Sequence, residues 1–434
     1  MKILLVNTDL PEKQSSKVLP LSMYFIGGLL RKHGFDIEII DPMLYRNNFY
    51  KKSIYTAIEE KAKECNIICF STNSFSLCYM INIIKKLRES GYDGKIILGG
   101  VHPTHDPLTV LNSSDIDYVI VGEAENTLPK LVDNIRKNID VEIENVYSKN
   151  WVGKSDNTLV NLSGIEEKEF VFPAYDLVPN GAYDTITLEA SRGCYGNCSF
   201  CSIPNKRCWR GYSEKYIMKN IELALPIISS KFNKKSIIFT DDCFTTDIKR
   251  ATKLLEYFKK IGINDYEILI EARLFHLLDN NIIDIIKEFP NLTIQVGIEC
   301  GYDKGLKKIN KGITREQIMK YSKLFHEKQI SHKILYSFII GFPWETFNDC
   351  IETLNTESFL KNEYNINVNC SWWLPVPSVE FEILKQMDST ISDDIFIENN
   401  WLNQRELFYK SHPLLNQTEM YILSKKMIDE GLRY

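Results

Sequence analysis

The chain reads SRGCYGNCSFC from Ser191 to Cys201, and this stretch is the most informative one for the fold and cofactor of the central part of the chain. The cysteines Cys194, Cys198 and Cys201 follow the spacing C-x3-C-x2-C, and the motif supplies no fourth thiolate. A structural zinc ion takes four protein ligands, and an electron-transfer 4Fe-4S cluster takes four cysteines. Three thiolates therefore predict a cluster with one iron left open for a further ligand.

This motif resembles that of the radical SAM superfamily. Gly193 and Gly196 allow the loop to fold tightly around an inorganic cluster, and Phe200 is the aromatic residue that the family usually carries before its third cysteine. The resemblance implies that the open iron binds S-adenosylmethionine (SAM), and that an electron from the cluster breaks the sulfonium C–S bond to give a 5′-deoxyadenosyl radical. The alternative is three unrelated thiols among eleven cysteines, and the agreement of spacing with loop residues disfavours it.

Size and composition restrict the class of protein. A chain of 434 residues exceeds the roughly 250–300 residues at which one hydrophobic core stops growing, so we expect two domains. Its 57 acidic and 52 basic residues give a net charge of −5, which disfavours binding to nucleic acid or to an anionic membrane. No apolar run approaches the ~20 residues of a membrane span. Eleven cysteines without a secretory signal fit a reducing compartment, so we expect a cytoplasmic protein with neither nucleic-acid nor membrane partners.

Residues 1–145 alternate short apolar runs with longer amphipathic stretches. The predicted strands are Ile3–Val6, Ile37–Ile40, Ile67–Phe70, Ile96–Leu98 and Tyr118–Val121, and the predicted helices are 21–33, 51–63, 76–89, 106–113 and 125–137. Strands separated by helices imply an α/β domain with a parallel sheet, Rossmann-like (flavodoxin-like) in its organisation. Ligands of such sheets bind outside the carboxyl ends of the strands.

Three loops would line that crevice, at residues 7–20, 71–74 and 99–103. The first is longer than the usual ~2–6 residues, and long loops in compact domains tend to be functional. In the third, Gly99 and Gly100 permit close approach of the backbone to a ligand.

This domain resembles the cobalamin-binding domain that precedes many radical SAM domains, in segments 20–35, 98–103 and 121–128. The resemblance implies corrin contacts from Asn7, Thr8, Ser71, Thr72, Gly99, Gly100 and Glu123. The best-known cobalamin domains ligate cobalt from below with a histidine in Asp-x-His-x-x-Gly after the first strand, whereas residues 7–12 here read NTDLPE. Many radical SAM methylases of this group also lack that histidine. The alternative is a scaffold domain that binds no corrin.

After a linker at 146–184, residues 185–375 again alternate strand and helix patterns. The predicted strands are Asp184–Glu189, Ser236–Thr240, Glu267–Glu271, Thr293–Ile298, Lys333–Ile340 and Ile366–Trp373. Six such units predict the partial (β/α)6 barrel that the radical SAM resemblance also implies, with functional groups at the carboxyl ends of the strands. Residues 376–434 predict a short C-terminal helical cap, with helical patterns at 380–387, 393–409 and 417–432. Its aromatic residues either close the barrel or pack as core, and packing is favoured.

Charged residues follow these strands at the positions where the superfamily binds SAM. The resemblance implies that Asp241 or Asp242 accepts hydrogen bonds from the SAM ammonium, and that Glu299 binds the ammonium or a ribose hydroxyl. Arg273 would pair with the SAM carboxylate as a planar fork. The alternative is that these strand-end charges only cap loops.

After the fifth strand, Ile340 and Gly341 would supply an apolar, backbone-lined slot for adenine. Cys300 stands where many relatives have serine after the strand-four glutamate, which leaves the ribose contact open.

Weaker candidates lie elsewhere. His102 and His105 flank a proline, but no further metal ligand lies near them in the sequence. Cys208, Cys243 and Cys300 are candidates for reactive thiols, for which ordinary packing is favoured.

Together these features predict a cobalamin-dependent radical SAM enzyme whose cofactors are a 4Fe-4S cluster, SAM and cobalamin. We expect a methyltransferase that acts on an unactivated carbon or phosphorus centre of a small metabolite or natural-product intermediate. A low-potential donor such as flavodoxin or ferredoxin would supply the electrons.

Three rival functions remain open. The first is a cyclisation or rearrangement with both cofactors, and the second is a cluster-only enzyme that transfers another part of SAM. The third is a binding or sensing protein. Methylthiotransferases carry three further cysteines in their N-terminal domain and a C-terminal RNA-binding barrel, and neither pattern is evident here.

Overall fold

A computed structural model describes residues 1–7, 17–150, 160 and 170–432. The predicted corrin contact Thr8 lies outside these described residues. The chain divides into two compact units. The first comprises Met1–Thr187, Asn220–Lys234 and Asp393–Gln404, and the second comprises Leu188–Lys219, Lys235–Ser392 and Arg405–Tyr434.

A six-stranded sheet forms the centre of the first unit. Its strands are β1 (Lys2–Val6), β2 (Asp36–Ile40), β3 (Ile67–Ser71), β4 (Lys95–Gly99), β5 (Tyr118–Ile120) and β6 (Val146–Ser148). They stand in the order β2-β1-β3-β4-β5-β6, and all neighbours run parallel except β5 and β6. The predicted parallel α/β sheet is confirmed, and the antiparallel edge strand β6 is an addition to it. The strand order reverses between β1 and β3, which is where such sheets bind ligands.

Seven helices accompany this sheet within the described residues. They are α1 (Leu21–Lys32), α2 (Pro42–Arg46), α3 (Ile54–Ala62), α4 (Leu77–Glu89), α5 (Val101–His105), α6 (Pro107–Asn112) and α7 (Thr127–Lys137). The short helix α2 begins where the Asp41 side chain accepts a hydrogen bond from Met43 N. Ile67, Ile68, Cys69 and Phe70 on β3 are all buried, as expected for a central parallel strand with both faces covered.

A second six-stranded sheet has the order β14-β13-β12-β11-β10-β7. Its strands are β7 (Ile186–Leu188), β10 (Ser236–Phe239), β11 (Glu267–Ala272), β12 (Leu292–Glu299), β13 (Ile334–Ile340) and β14 (Asn367–Trp372). The strands from β10 to β14 pair in parallel. A small antiparallel pair, β8 (Ser191–Arg192) and β9 (Arg210–Gly211), brackets the cysteine motif. The central sheet expected for a radical SAM domain is therefore present.

The remaining helices alternate with these strands and continue beyond them. They are α8 (Glu214–Lys231), α9 (Ile248–Lys260), α10 (Asn280–Lys287), α11 (Asp303–Lys308), α12 (Arg315–Glu327), α13 (Phe347–Tyr364), α14 (Val379–Met387), α15 (Ile395–Glu398), α16 (Trp401–Ser411) and α17 (Gln417–Asp429). Among the described residues, no helix combines the length and apolar character needed to cross a lipid bilayer.

The C-terminal helices differ from the prediction in one respect. The pattern at 393–409 predicted one helix, but the structure has two, because Asn399 adopts an extended backbone and Asn400 Oδ1 accepts a hydrogen bond from Asn403 N, 3.0 Å away. An asparagine in this position starts a new helix. In the tail, Phe408 is 1% exposed and its ring centroid lies 5.4 Å from that of Trp373, so this aromatic residue packs as core.

Candidate active site

The cysteine motif forms a tight loop between β8 and β9, and we call residues 193–201 the cysteine loop. Gly193 has a φ of +78°, and a Cβ at this position would lie 1.9 Å from the carbonyl oxygen of Cys208. Its amide nitrogen donates a hydrogen bond to Asp242 Oδ2 over 2.8 Å. Only glycine therefore fits at the entrance to this loop.

All three motif cysteines line one cavity of about 190 Å3 in the second unit, and all three are free thiols. Cys198 is buried, and the other two are partly exposed. The amide nitrogen of Gly196 lies 3.3 Å from Cys194 Sγ and donates to it. Burial raises the pKa of the Cys201 thiol, and the nearby Lys206 ammonium opposes this shift.

The donor set fits a 4Fe-4S cluster better than a single metal ion. Within the described ranges, no three histidine, cysteine or acidic side chains converge on a point where one ion would bind. A cluster places its irons at separate corners, so its cysteines need only line the same cavity. Residues Cys194, Cys198 and Cys201 meet that requirement.

The rest of the cavity wall carries charges of both signs. Lys311 Nζ lies 3.0 Å from Glu299 Oε1, and these side chains are only 12% and 9% exposed. Arg273 donates from one guanidinium nitrogen to the carbonyl oxygen of Lys311 over 2.8 Å. Despite opposing desolvation, the Glu299 carboxylate raises the pKa of Lys311, so its ammonium form is favoured.

Two further carboxylates in the same wall hold protons more tightly than usual. Burial raises the pKa of Glu271 to about 7, and the neighbouring carboxylates of Asp242 and Glu299 add to the shift. Burial also raises the pKa of Asp242. Two cations beside several carboxylates suit a zwitterionic ligand that carries an ammonium and a carboxylate.

The structure brings together four of the predicted SAM contacts, namely Phe200, Asp242, Arg273 and Glu299, around this cavity. Asp241 takes a different place. It is 1% exposed, and its carboxylate accepts hydrogen bonds from Ala190 N at 2.9 Å and from the Ser191 hydroxyl. Of the two aspartates, Asp242 is therefore the one that faces the cavity, while Asp241 fixes the start of the motif.

The predicted adenine contacts Ile340 and Gly341 lie outside the lining of this cavity. Ile340 is fully buried. Gly341 has a φ of +79°, and its amide nitrogen donates to Glu345 Oε2 over 2.7 Å. Burial raises the pKa of Glu345 to about 7. The loop after β13 is thus held by a buried carboxylate that the sequence did not single out.

Sequence reasoning gave no role to three charged residues of the cavity, Glu271, Lys311 and Lys206. Glu271 lies within β11, whereas the two lysines lie in connections. Neither lysine follows a strand directly, and the argument from strand ends therefore did not reach them. Lys311 belongs to the connection between α11 and α12, which carries no strand pattern.

The three remaining candidate thiols have ordinary surroundings. Cys243 is fully buried, with its sulfur 3.5 Å from His276 Nδ1, and burial raises its pKa. Burial also raises the pKa of Cys300. Cys208 lies outside the cavity lining, and its backbone carbonyl approaches the cysteine loop at Gly193.

In the first unit, the described corrin candidates gather at the carboxyl edge of the sheet. Asn7 follows β1, Ser71 and Thr72 end or follow β3, and Gly99 and Gly100 end or follow β4. Asn7 Oδ1 and Thr72 Oγ1 are buried and have no hydrogen-bond partner within the described residues.

The backbone also approaches closely at this edge. Gly100 has a φ of +114°, and a Cβ there would lie 2.3 Å from the carbonyl oxygen of Thr72. Buried polar atoms are normally satisfied, so the unpartnered Asn7 and Thr72 oxygens fit a polar ligand. A corrin, whose rim carries many amides, has the chemistry that these residues would hold.

The histidine and acidic candidates beside this edge already have protein partners. His102 Nδ1 lies 2.9 Å from Ser74 Oγ, and burial lowers the pKa of His102 to about 4. Glu123 accepts a hydrogen bond from Val160 N at 2.6 Å. Gln404 donates to the carbonyl oxygen of Ser74 over 3.2 Å. His102 and His105 do not form part of a three-ligand metal group among the described residues.

Two family models match the chain. The model of the Radical SAM superfamily matches residues 188–356, and the model of the B12 binding domain matches residues 13–132. Together they cover most strands of both sheets and the cysteine loop. They imply a 4Fe-4S cluster, SAM and cobalamin as cofactors.

Individual proteins show the same relationship. An uncharacterized methyltransferase of Pyrococcus horikoshii is 29% identical over 84% of this chain and 79% of its own. A putative methylthiotransferase of Methanocaldococcus jannaschii is 25% identical over 84% of this chain and 77% of its own. The structure of the radical SAM methyltransferase TsrM from Kitasatospora setae has a TM-score of 0.68 at 17% identity, over 89% of this chain and 76% of that one, and shows the likeness in fold. The chain therefore belongs to the B12-binding radical SAM enzymes and resembles their class B methyltransferases.

Proposed function

We propose that this enzyme is a cobalamin-dependent methyltransferase that acts on an unactivated carbon or phosphorus centre of a small molecule. The observation that carries the proposal is the cavity in which three free thiols face Arg273 and the Lys311–Glu299 pair. The name of the Pyrococcus horikoshii relative, a methyltransferase, supports methyl transfer. The TsrM structure, described with a tryptophan substrate and a SAM analogue, supports a small-molecule substrate.

In this proposal Cys194, Cys198 and Cys201 hold the cluster, and the cavity wall binds SAM. Arg273 is fixed by its hydrogen bond to the Lys311 carbonyl and so presents its remaining guanidinium donors to the SAM carboxylate. Asp242 accepts from Gly193 N with one oxygen and keeps the other for the ligand. When bound, the cluster supplies the electron that cleaves SAM, and cobalamin supplies the methyl group.

The chain's own contribution is to bind, orient and exclude water. Phe200 lines the cavity, and its ring lies 5.9 Å from that of the fully buried Phe342, which gives one wall an apolar character. Glu271, with its pKa near 7, is present in both protonation states at neutral pH and can accept or donate a proton at its carboxylate. In the first unit, Asn7 and Thr72 would hold the corrin amides.

The alternative is transfer of another part of SAM without cobalamin, which the methylthiotransferase relative favours. The cysteines of the first unit argue against a second cluster. Cys69 lies within β3 between β1 and β4, and burial raises its pKa to about 12. Cys65 and Cys78 are also buried thiols with raised pKa values.

The test begins with protein purified anaerobically from cells supplied with cobalamin. Corrin per chain is measured by cyanide extraction, and SAM products are then measured in the presence of a low-potential reductant such as flavodoxin or ferredoxin. We expect near-stoichiometric corrin with both 5′-deoxyadenosine and S-adenosylhomocysteine. Iron and sulfide without corrin would overturn the methyltransferase proposal and favour the alternative.

Variants of the two units show which unit is needed for 5′-deoxyadenosine formation and which for corrin binding. Cys198→Ala should abolish 5′-deoxyadenosine and leave corrin per chain unchanged, because the cysteine loop belongs to the second unit. Cys78→Ala, which removes a buried thiol of the first unit, should leave both 5′-deoxyadenosine formation and corrin per chain unchanged. Corrin and 5′-deoxyadenosine without S-adenosylhomocysteine would favour a rearrangement or cyclisation.

A further inference from the structure

Glu380 is a buried carboxylate that connects the C-terminal helix α14 to the cysteine loop. It is 1% exposed. Its Oε2 accepts a hydrogen bond from Trp344 Nε1 over 2.7 Å, and its Oε1 pairs with the hydroxyl of Ser199. A carboxylate that accepts two hydrogen bonds in a buried place makes charge-assisted contacts, which are stronger than neutral ones.

The residue that Glu380 holds, Ser199, lies between the second and third motif cysteines. Every polar group of Ser199 is used. Its amide nitrogen donates to Ile309 O over 3.1 Å, and its carbonyl oxygen accepts from Val379 N over 3.1 Å. Three contacts thus fix a loop residue that has no regular secondary structure of its own.

The second hydrogen bond of Glu380, at Oε2, comes from Trp344 in the loop after β13. Trp344 stacks on Phe342 with ring centroids 5.3 Å apart and planes 1° apart, and Phe342 lies 5.9 Å from Phe200 of the cysteine loop. Lys308 Nζ lies 4.5 Å from the Trp344 ring centroid, on the same indole that donates to Glu380. Glu380 therefore links the cysteine loop, through Ser199, to the loop after β13, through Trp344.

We propose that Glu380 is a positioning residue that holds the cysteine loop in the conformation needed to keep the 4Fe-4S cluster, through its contact with Ser199. The inference goes beyond the proposed function, since it applies whichever part of SAM is transferred. It also gives the C-terminal region a role at the cluster that its position in the sequence does not suggest.

Two substitutions separate the hydrogen bonds of Glu380 from its charge. Glu380→Leu removes both contacts, which takes the hydrogen-bond acceptor away from the buried Trp344 Nε1 and from the partly buried Ser199 hydroxyl. Glu380→Gln keeps both, because the amide oxygen accepts from Trp344 Nε1 and the amide nitrogen donates to Ser199 Oγ. Glu382→Gln is the matched control, since Glu382 is on the same helix but its side chain is 60% exposed and pairs with Lys385 at 2.8 Å.

The experiment uses full-length protein with a reconstituted cluster. The rate at which an iron chelator removes the cluster absorbance is the first readout. Glu380→Leu should accelerate this loss by about tenfold, whereas Glu380→Gln and Glu382→Gln should match the parent. The second readout is the midpoint potential of the cluster, which should become less negative in Glu380→Gln and in Glu380→Leu but not in Glu382→Gln, because a buried negative charge near the cluster opposes its reduction.

A third variant, together with measurements on the apoprotein, distinguishes a specific effect on the cluster from a general loss of folding. Ser199→Ala removes only the hydrogen bond that reaches the cysteine loop, and it should reproduce the faster cluster loss while it lowers the thermal unfolding temperature of the apoprotein less than Glu380→Leu does. In the Glu380→Leu background, Ser199→Ala should add little, as expected for two residues that act through one contact. If Glu380→Leu and Ser199→Ala lose the cluster at the parental rate, the proposal is wrong. Corrin binding and SAM cleavage by the parent enzyme do not bear on this result, so it can fail independently of the proposed function.

Discussion

Lys311 Nζ lies 3.0 Å from Glu299 Oε1 in the wall of the cavity that the three motif cysteines share. Both side chains are almost fully buried, and the pair also fixes Arg273 through the Lys311 carbonyl. A buried ion pair contributes little net stability over an apolar pair of the same shape, but removing one partner leaves an uncompensated charge. The pair is therefore expected to respond differently to single and double substitutions.

We predict that Lys311→Met lowers the free energy of unfolding of the apoprotein by about 3–5 kcal/mol, because Glu299 remains buried without its cation. The double variant Lys311→Met with Glu299→Gln should recover most of this loss. Urea unfolding measures both values, and Lys307→Met, on the exposed face of α11, is the control. Equal stability of the single and double variants would contradict the assignment.

Gly193 offers a second prediction, which separates backbone strain from steric conflict. Gly193→Ala places a Cβ 1.9 Å from a backbone oxygen that cannot move without displacing β9, whereas Gly262 has a similar φ of +76° with open space around it. Gly262→Ala should cost about 1 kcal/mol of stability from its backbone conformation alone. Gly193→Ala should in addition prevent retention of iron and sulfide after reconstitution, as measured by metal and sulfide analysis. Normal cluster content in Gly193→Ala would show that the loop tolerates a wider turn.

The strands and the cysteine loop were accessible to prediction because their signals are local. Apolar runs such as Ile67–Phe70 are bounded by turn residues, and the cysteine spacing is contained in eight residues. Strand ends then placed Asp242, Arg273 and Glu299 near one another, since parallel strands bring their carboxyl ends to the same edge. Local sequence patterns do not show which of Asp241 and Asp242 faces the cavity, because this depends on hydrogen bonds to residues about fifty positions away.

Other features of the site arise from contacts that no sequence pattern encodes. Ser199 and Glu380 are 181 residues apart and lie in segments with unrelated patterns. Lys311 reaches Glu299 from a connection between helices rather than from a strand end. The break between α15 and α16 likewise depended on the side chain of Asn400, whose capping role competes with a continuous helical pattern.

A third prediction concerns the unpartnered hydroxyl of Thr72 at the sheet edge of the first unit. Thr72→Val keeps the shape of the side chain and removes an oxygen that has no protein partner within the described residues. The apoprotein should therefore unfold at the same or a slightly higher temperature, while the affinity for hydroxocobalamin should fall by about tenfold if this oxygen binds the corrin. Titration followed by visible absorbance measures the affinity, and Thr109→Val, at a partly exposed position of α6, is the control. Lower thermal stability with unchanged affinity would assign the hydroxyl a structural role instead.

Glu357 on α13 provides a prediction for the dependence of stability on pH. It is fully buried, and burial raises its pKa to about 8, although a hydrogen bond from the Cys370 thiol opposes the shift. Since the folded state binds this proton more tightly than the unfolded state, the protonated form favours folding. The contribution is fully present below the unfolded pKa and is lost as the pH rises toward 8, by about 1.4 kcal/mol per pH unit. Glu357→Gln removes the titration, so the variant should gain stability relative to the parent as the pH is raised from 5 to 8. Urea unfolding at a series of pH values measures this difference, with Glu363→Gln, an exposed position of the same helix, as the control. A difference between variant and parent that does not change with pH would mean that Glu357 is ionised in the folded protein throughout this range.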